Sequence, residues 1–384
     1  MTRTARIVAL VAPLALSLAL AGPAGAHRRL PQRFVGVSFD GPMLDAPPRV
    51  AANQYPRMAA AGVETVRVAF RWLDLQPQRD GPYDFSTTDR IVGLAAARRI
   101  EVMPHIIVAP HWNRWHYLDE PFGPPRDPTL LVPLMQALID RYGPHGSFWT
   151  DHAELPRIPI RAWQFWNEPS LEYQWTITSD VTWWDTYSWE LGYFWRGVKQ
   201  ADPHAKVVLG GLTNRSWADL RKLYRAGIKG HFDVAAIHPY TRRPDGTVEL
   251  VRRFKRVMRG HGDGRKPVWV TEMGLPASRG RSRSHNTLQT TDRGMARFLS
   301  EAYAALVHAR HRRATRVGRV YWYTWGSEYR GGIFGYAGLF RYRGHGEPRP
   351  RRAYRAYVHT ARRLEGCVKT RSGACRRQRR GAPS

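Results

Sequence analysis

The sequence runs to 384 residues and carries 60 Lys and Arg against 31 Asp and Glu, a formal net charge of +29. That length holds one large domain or two smaller ones, and a hydrophobic share of 43% is that of a globular chain rather than a disordered one. The basic surplus is nearly all Arg and suits polyanions of any kind, but no basic-helix or zinc-finger pattern accompanies it, so specific nucleic-acid reading is not expected.

The chain opens with Arg3 and Arg6, an apolar run from Ile7 to Leu20, and the small-residue site Ala24-Gly25-Ala26. This order predicts a secretory signal peptide over residues 1–26, and hence a secreted or cell-envelope protein whose mature chain starts near His27. The apolar run is shorter than the roughly 20 residues a membrane-spanning helix needs, and no later segment qualifies, so no integral span is expected.

From there short β-branched runs alternate with longer amphipathic stretches, the pattern of a parallel sheet with crossover helices. Strands are predicted at Phe34–Phe39, Glu64–Phe70, Ile100–Val108 and Ile160–Trp166, with helices at Ser86–Arg99 and Thr129–Tyr142. A helix over Asp180–Ala201 leads to a fifth strand, Ala205–Gly210, followed by helix Trp217–Ala226 and strand His231–Ile237. Helix Val248–Arg259, strand Lys266–Thr271, helix Thr290–Ala309, strand Arg319–Trp325 and helix Ala353–Arg363 complete the series. Eight such units predict an α/β (β/α)8 TIM barrel over residues 27–363. A doubly wound sheet would show a Gly-rich phosphate turn after the first strand, and none is present.

A barrel places its chemistry at the C-terminal ends of its strands. Trp166-Asn167-Glu168-Pro169 ends the fourth strand and Thr271-Glu272-Met273-Gly274 the seventh. Alone, Asn-Glu-Pro is a good helix start and a strand-end Glu a common ion-pair partner. Together, on opposite walls of one mouth, Glu168 and Glu272 fit the two carboxyls of retaining glycoside hydrolysis, which stand about 5–5.5 Å apart. Trp112, Trp115, Trp175, Trp183 and Trp184 fall in loops or helix starts on the same side, where apolar faces of sugar rings could stack. His111 and His116 bracket Trp115 without a metal-ligand spacing, and neither metal nor other cofactor is expected in the chemistry.

These motifs resemble glycoside hydrolase clan A, and within it the family 39-like exopolysaccharide hydrolases and xylosidases. The likeness is strongest from Arg141-Tyr142-Gly143-Pro144 through Pro159–Pro169, and Pro110-His111-Trp112 also fits. It implies a retaining glycosidase acting on O-glycosyl bonds, with Glu168 as acid/base and Glu272 as nucleophile. It further implies that Arg67 keeps the nucleophile ionised, that Asn167 holds the sugar 2-hydroxyl, and that His238 and Tyr240 stand near the nucleophile. Trp325 becomes the floor under the reacting sugar, with Trp112 a further substrate contact. Ser170 stands where many relatives have Asn. A non-catalytic barrel that binds carbohydrate or polyanion is the alternative, and turnover separates the two.

The resemblance leaves out the end of the chain. From Arg349 to Ser384 there are twelve basic residues and one acid, Glu365, so the tail at 364–384 is expected to hold to an anionic cell-envelope polymer. Cys367 and Cys375 lie within it, and export makes a local disulfide between them the expected state.

Overall fold

The computed structural model describes residues 30–115, 123–175, 181–284, 286–311, 315–365, 367–372 and 375–377. The predicted signal peptide and most of the Arg-rich end therefore lie outside the described residues, as does His116. Eight parallel strands are present: β1 (Val35–Phe39), β2 (Thr65–Arg71), β3 (Glu101–Ile107), β4 (Ala162–Phe165), β5 (Lys206–Val208), β6 (Ala235–Ile237), β7 (Val268–Met273) and β8 (Val317–Trp322). They follow one another around a single sheet in which β8 pairs with β1. Between β5 and β6 the ladder thins to single bridges, Val208 to Val234 and Leu212 to Ile237, and these close the (β/α)8 barrel.

One principal helix follows each strand: α1 (Gln54–Ala61), α2 (Ser86–Ala96), α3 (Leu131–Tyr142), α4 (Trp183–Ala201), α5 (Ser216–Arg225), α6 (Pro244–Gly260), α7 (Asp292–His311) and α8 (Arg352–Glu365). Their sequences explain the layer. In α6, Val248, Val251, Phe254 and Met258 fall on one face at three- and four-residue spacing and are buried, while Arg252, Arg256 and Arg259 face outward. Pro244 sits at its first turn, where a missing N–H costs nothing. Gly62 ends α1 with φ of 91°, and a Cβ there would stand 2.7 Å from Ala361 of α8, so glycine meets both the turn and the helix contact.

Inside the barrel, Met103, Val208, Val234, Ala236, Trp269 and Tyr321 form a packed plug. Arg319 reaches Glu101 at 2.5 Å within it, its guanidinium lying over the Trp269 ring. The lower barrel is thus filled, and access is left only at the end where the strands finish. The final helix runs to Glu365, and beyond it Cys367–Lys369 pairs antiparallel with Cys375–Arg377. The side chains of Cys367 and Cys375 lie outside the described set, and with them the expected disulfide. Among the described residues no helix is long and apolar enough to cross a membrane.

Candidate active site

Three barrel strands meet at one cation. Arg67 of β2 is 1% exposed and uses all three guanidinium nitrogens. Its Nε donates to Gln164 Oε1 of β4 at 2.7 Å, Nη1 to Glu272 Oε1 of β7 at 2.8 Å, and Nη2 to Asn167 Oδ1 at 2.7 Å. Gln164 in turn donates to the Leu209 carbonyl beyond β5. On its other oxygen Glu272 accepts from the Tyr240 hydroxyl at 2.7 Å.

Glu168 faces this carboxyl from the β4 side. The chain reaches it through an unusual turn, in which Trp166 (φ 64°) and Glu168 (φ 42°) are both left-handed. Such backbone costs on the order of 1–3 kcal/mol per residue and needs surroundings that enforce it. Trp166 supplies them: it is buried, its amide donates to the Ile106 carbonyl, its indole N–H donates to Gln174 O at 2.7 Å, and Trp175 packs edge-on against it. The result aims Glu168 Oε1 at His238 Nδ1, 2.7 Å away, while His238 Nε2 lies 3.0 Å from Thr271 Oγ1. Gly211 makes room for that ring, since a Cβ there would overlap it. One oxygen of Glu168, one of Glu272 and a nitrogen of His238 all lie within 4.8 Å of one another.

Burial sets the protonation of this group and the cation modulates it. Desolvation pushes the Glu168 carboxyl up to about 7, with Arg67 opposing. Desolvation also raises Glu272, but there Arg67 and the Tyr240 hydroxyl pull down while Glu168 pushes up. Of the two carboxyls Glu272 therefore has the partners of an anion, and Glu168 is held as an acid near neutral pH. Arg67 was expected to keep the nucleophile ionised; it does pull Glu272 down, but burial outweighs it and the net shift is upward. Burial lowers His238 to about 4, so its ring is neutral, and burial holds the Tyr240 phenol well above its usual range, so it stays a donor. The spacing of Glu168, His238 and Glu272 would reach a metal ion, but Arg67 at 2.8 Å from Glu272 already supplies a positive charge and would repel a second.

The cleft above has a volume of about 580 Å³, and Asn167, Glu168, Tyr240 and Glu272 line it. Two expected contacts are elsewhere. Trp325 is fully buried, its indole N–H donates to Gln54 of α1 and its ring packs on Phe340, so it belongs to the helix layer. The aromatic side chain facing the cleft from the end of β8 is Tyr323. Trp112 is not in the lining; its indole bonds to the Gln76 carbonyl and its ring sits edge-on to Trp72. Trp175 is packing beneath Trp166, and Trp115, Trp183 and Trp184 also stand outside the lining.

Sequence reasoning missed Gln164, Thr271, Tyr173, Asn214 and Phe334. Gln164 and Thr271 carried a usable signal, because each lies on the same barrel strand as, or next to, a chosen residue. Tyr173 and Phe334 carried none: both are exposed loop aromatics whose aim depends on loop conformation.

Residues 165–347, which hold both glutamates, match the family model described as glycosyl hydrolase catalytic core. A family 39 glycoside hydrolase from the gut symbiont Bacteroides cellulosilyticus WH2 superposes with a TM-score of 0.64 at 18% identity, covering 89% of this chain and 65% of that one. A monomeric β-xylosidase from Caulobacter crescentus CB15 gives a TM-score of 0.62 at 17% identity, covering 86% and 68%. An exo-β-1,4-mannosidase from Opitutaceae bacterium strain TAV5 gives 0.61 at 17%, covering 86% and 59%. The chain thus spans about two thirds of the length of these structures, and the likeness is one of fold. No curated protein matches the chain. Residues 165–347 thus match a glycosyl hydrolase catalytic core, set in a (β/α)8 barrel that shares its fold with these structures.

Proposed function

We propose that the cleft hydrolyses β-linked glycosidic bonds of a polysaccharide or oligosaccharide with retention of configuration. In the first step Glu272 attacks the anomeric carbon, the bond to the leaving oxygen breaks, and Glu168 gives that oxygen its proton. In the second, Glu168 takes a proton from water, the water oxygen bonds to the same carbon, and Glu272 leaves. The observation that carries this reading is the approach of one Glu168 oxygen and one Glu272 oxygen to within 4.8 Å across the mouth. An inverting enzyme needs roughly 6.5–9.5 Å between its carboxyls, to seat a water between base and sugar.

The neighbours fit the two half-reactions. With Asn167 Oδ1 taken by Arg67, its amide nitrogen is the group left for a sugar hydroxyl. His238 stays neutral in both steps. When Glu168 is the acid, its O–H donates to Nδ1 and Nε2–H donates to Thr271. When Glu168 is ionised, Nδ1–H donates to it and the Thr271 hydroxyl donates to Nε2. The two states differ in ring tautomer, so one proton passes from Nε2 to Nδ1 as the Thr271 hydroxyl turns from acceptor to donor.

Residues 1–26, read as a removable signal, would direct this activity outside the cell, and the Arg-rich tail, closed by a Cys367–Cys375 bond, would hold the enzyme near an anionic envelope polymer. The test of the chemistry is proton NMR of early product from the wild type, together with Glu168→Ala on an activated aryl β-glycoside. The first product should keep the substrate's anomeric configuration. The variant should release one burst of aryl alcohol and then stall, and azide should restart it to give the β-glycosyl azide. Inverted product, or an α-azide, would remove the role assignment.

A further inference from the structure

The surplus of basic over acidic residues falls on one side of the barrel. Residues 31–200, which include β1 to β4, hold 16 Lys and Arg against 19 Asp and Glu. Residues 201–365, which include β5 to β8, hold 34 against 12. A general bias toward Arg codons would enrich both halves and would not deplete the acids of one. On the outer faces of α6, α7 and α8, which pack side by side, ten Arg are exposed. Three exposed carboxylates accompany them, Asp245, Glu249 and Glu301, and the first two are already bonded to Arg243 and Arg253.

At the edge of this wall, where α8 meets α1, the surface is concave. A groove of about 640 Å³ is lined by Arg355, His359, Arg362 and Arg363, with Tyr354, Val358 and Ala60 between them and no carboxylate. Arg355, Arg362 and Arg363 are exposed, and none has a salt-bridge partner among the described residues. Residues 366–384 leave from the end of the same helix and add six Lys and Arg without an acid. This groove lies on the outside of the helix layer and shares no lining residue with the catalytic cleft.

We propose that the α1–α8 groove is a non-catalytic binding site for an acidic glycan, which it grips through carboxylates on successive sugars. Guanidinium forks take carboxylates in pairs, and Tyr354 and Val358 give the apolar C–H faces of the rings a surface between the charges. Only the choice of a glycan among polyanions rests on the glycosidase reading; the groove and its charge stand without it. Holding the polymer on the wall keeps its local concentration at the mouth high, so the site acts through KM on a polymer and not on a small neutral substrate.

The test uses the full chain and polygalacturonate as probe, with neutral xylan as its counterpart, in affinity electrophoresis and titration at 50 and 200 mM salt. Wild-type protein should bind polygalacturonate, ignore xylan, and weaken as salt rises. The variant Arg355→Gln/Arg362→Gln/Arg363→Gln should bind about 100-fold more weakly at low salt, since each cation facing an anionic surface contributes about fivefold. Its circular dichroism and its turnover of a neutral aryl glycoside should be unchanged. A full-length variant with Arg376, Arg377, Arg379 and Arg380 changed to Gln should lose less. Equal binding by the groove variant, or equal binding of xylan, would overturn the site. Tighter binding of duplex DNA or of phosphatidylglycerol vesicles would overturn the glycan. Absent turnover with intact polygalacturonate binding would count against the glycosidase reading and leave the groove standing.

Discussion

Replacing Glu168 by Gln should make the protein more stable, by an amount that depends on pH. Burial holds this carboxyl at about 7 in the fold against an ordinary 4.5, so folding favours its protonated form. Stability from such a group is fully present below the unfolded value and is lost as pH rises through the folded one. At pH 8 the wild type carries the burial cost of a carboxylate, and integrating between the two values gives about 3 kcal/mol. At pH 5 the same integration gives about 1 kcal/mol, and at pH 4 almost nothing. Gln is close in shape to the protonated acid, and its side chain can still bond to His238 Nδ1, 2.7 Å from the acid oxygen in the wild type. Urea unfolding of both proteins at pH 4, 5 and 8 measures the difference. A gain that is the same at every pH would show that Glu168 is not shifted by burial, and the assignment of Glu168 as the acid would lose its electrostatic basis.

Three further outcomes follow from the same geometry. Wild-type kcat/KM should fall above pH about 7 as Glu168 loses its proton, and a basic limb unmoved in Glu168→Gln with residual activity would assign that limb to another group. Arg67→Met leaves Glu272 buried without its cation, which should cost the fold about 3–5 kcal/mol in urea unfolding, lower kcat/KM by roughly a hundredfold to a thousandfold and move the acidic limb upward; normal kinetics would make Arg67 a structural residue only. Thr271→Val keeps the shape of a side chain that is fully buried but removes the hydroxyl that completes His238, so kcat should fall about tenfold at constant KM, and Thr271→Ser should restore it; equal loss in both would point to packing.

Much of this is legible in the sequence itself. The alternation of short β-branched runs with amphipathic stretches placed the eight units, with boundaries off by up to four residues where strand ends run into loops, as at Ala235–Ile237 against the expected His231–Ile237. Glu168 and Glu272 were legible because strand register fixes where their backbones end. Trp325 was misjudged because it stands three residues past β8, where the pleat no longer dictates direction; its amide bonds to Ser38 and its ring turns out toward α1. His238 was expected beside the nucleophile, yet its short contact is to Glu168 and Glu272 is farther, at 3.6 Å, a choice made by the left-handed turn at Trp166. The charge was read as a general Arg surplus with a basic tail, since counting along the chain shows a run of Arg but not that three neighbouring helices of one wall share it.

Arg67 joins β2, β4 and β7, and Gln164 extends the tie to the end of β5. The reactive pair is thereby pinned to the barrel staves. The segments that supply Leu288 and Phe334 to the cleft take no part in these bonds, whereas the one that carries Tyr173 also holds Trp166 through Gln174 and Trp175. The first two can be exchanged, lengthened or re-sequenced with the machinery at the hub left in tune. A barrel built this way separates the reacting pair from the walls that meet the ligand, and foreign sequence at residues 329–336 is where a change of specificity would start.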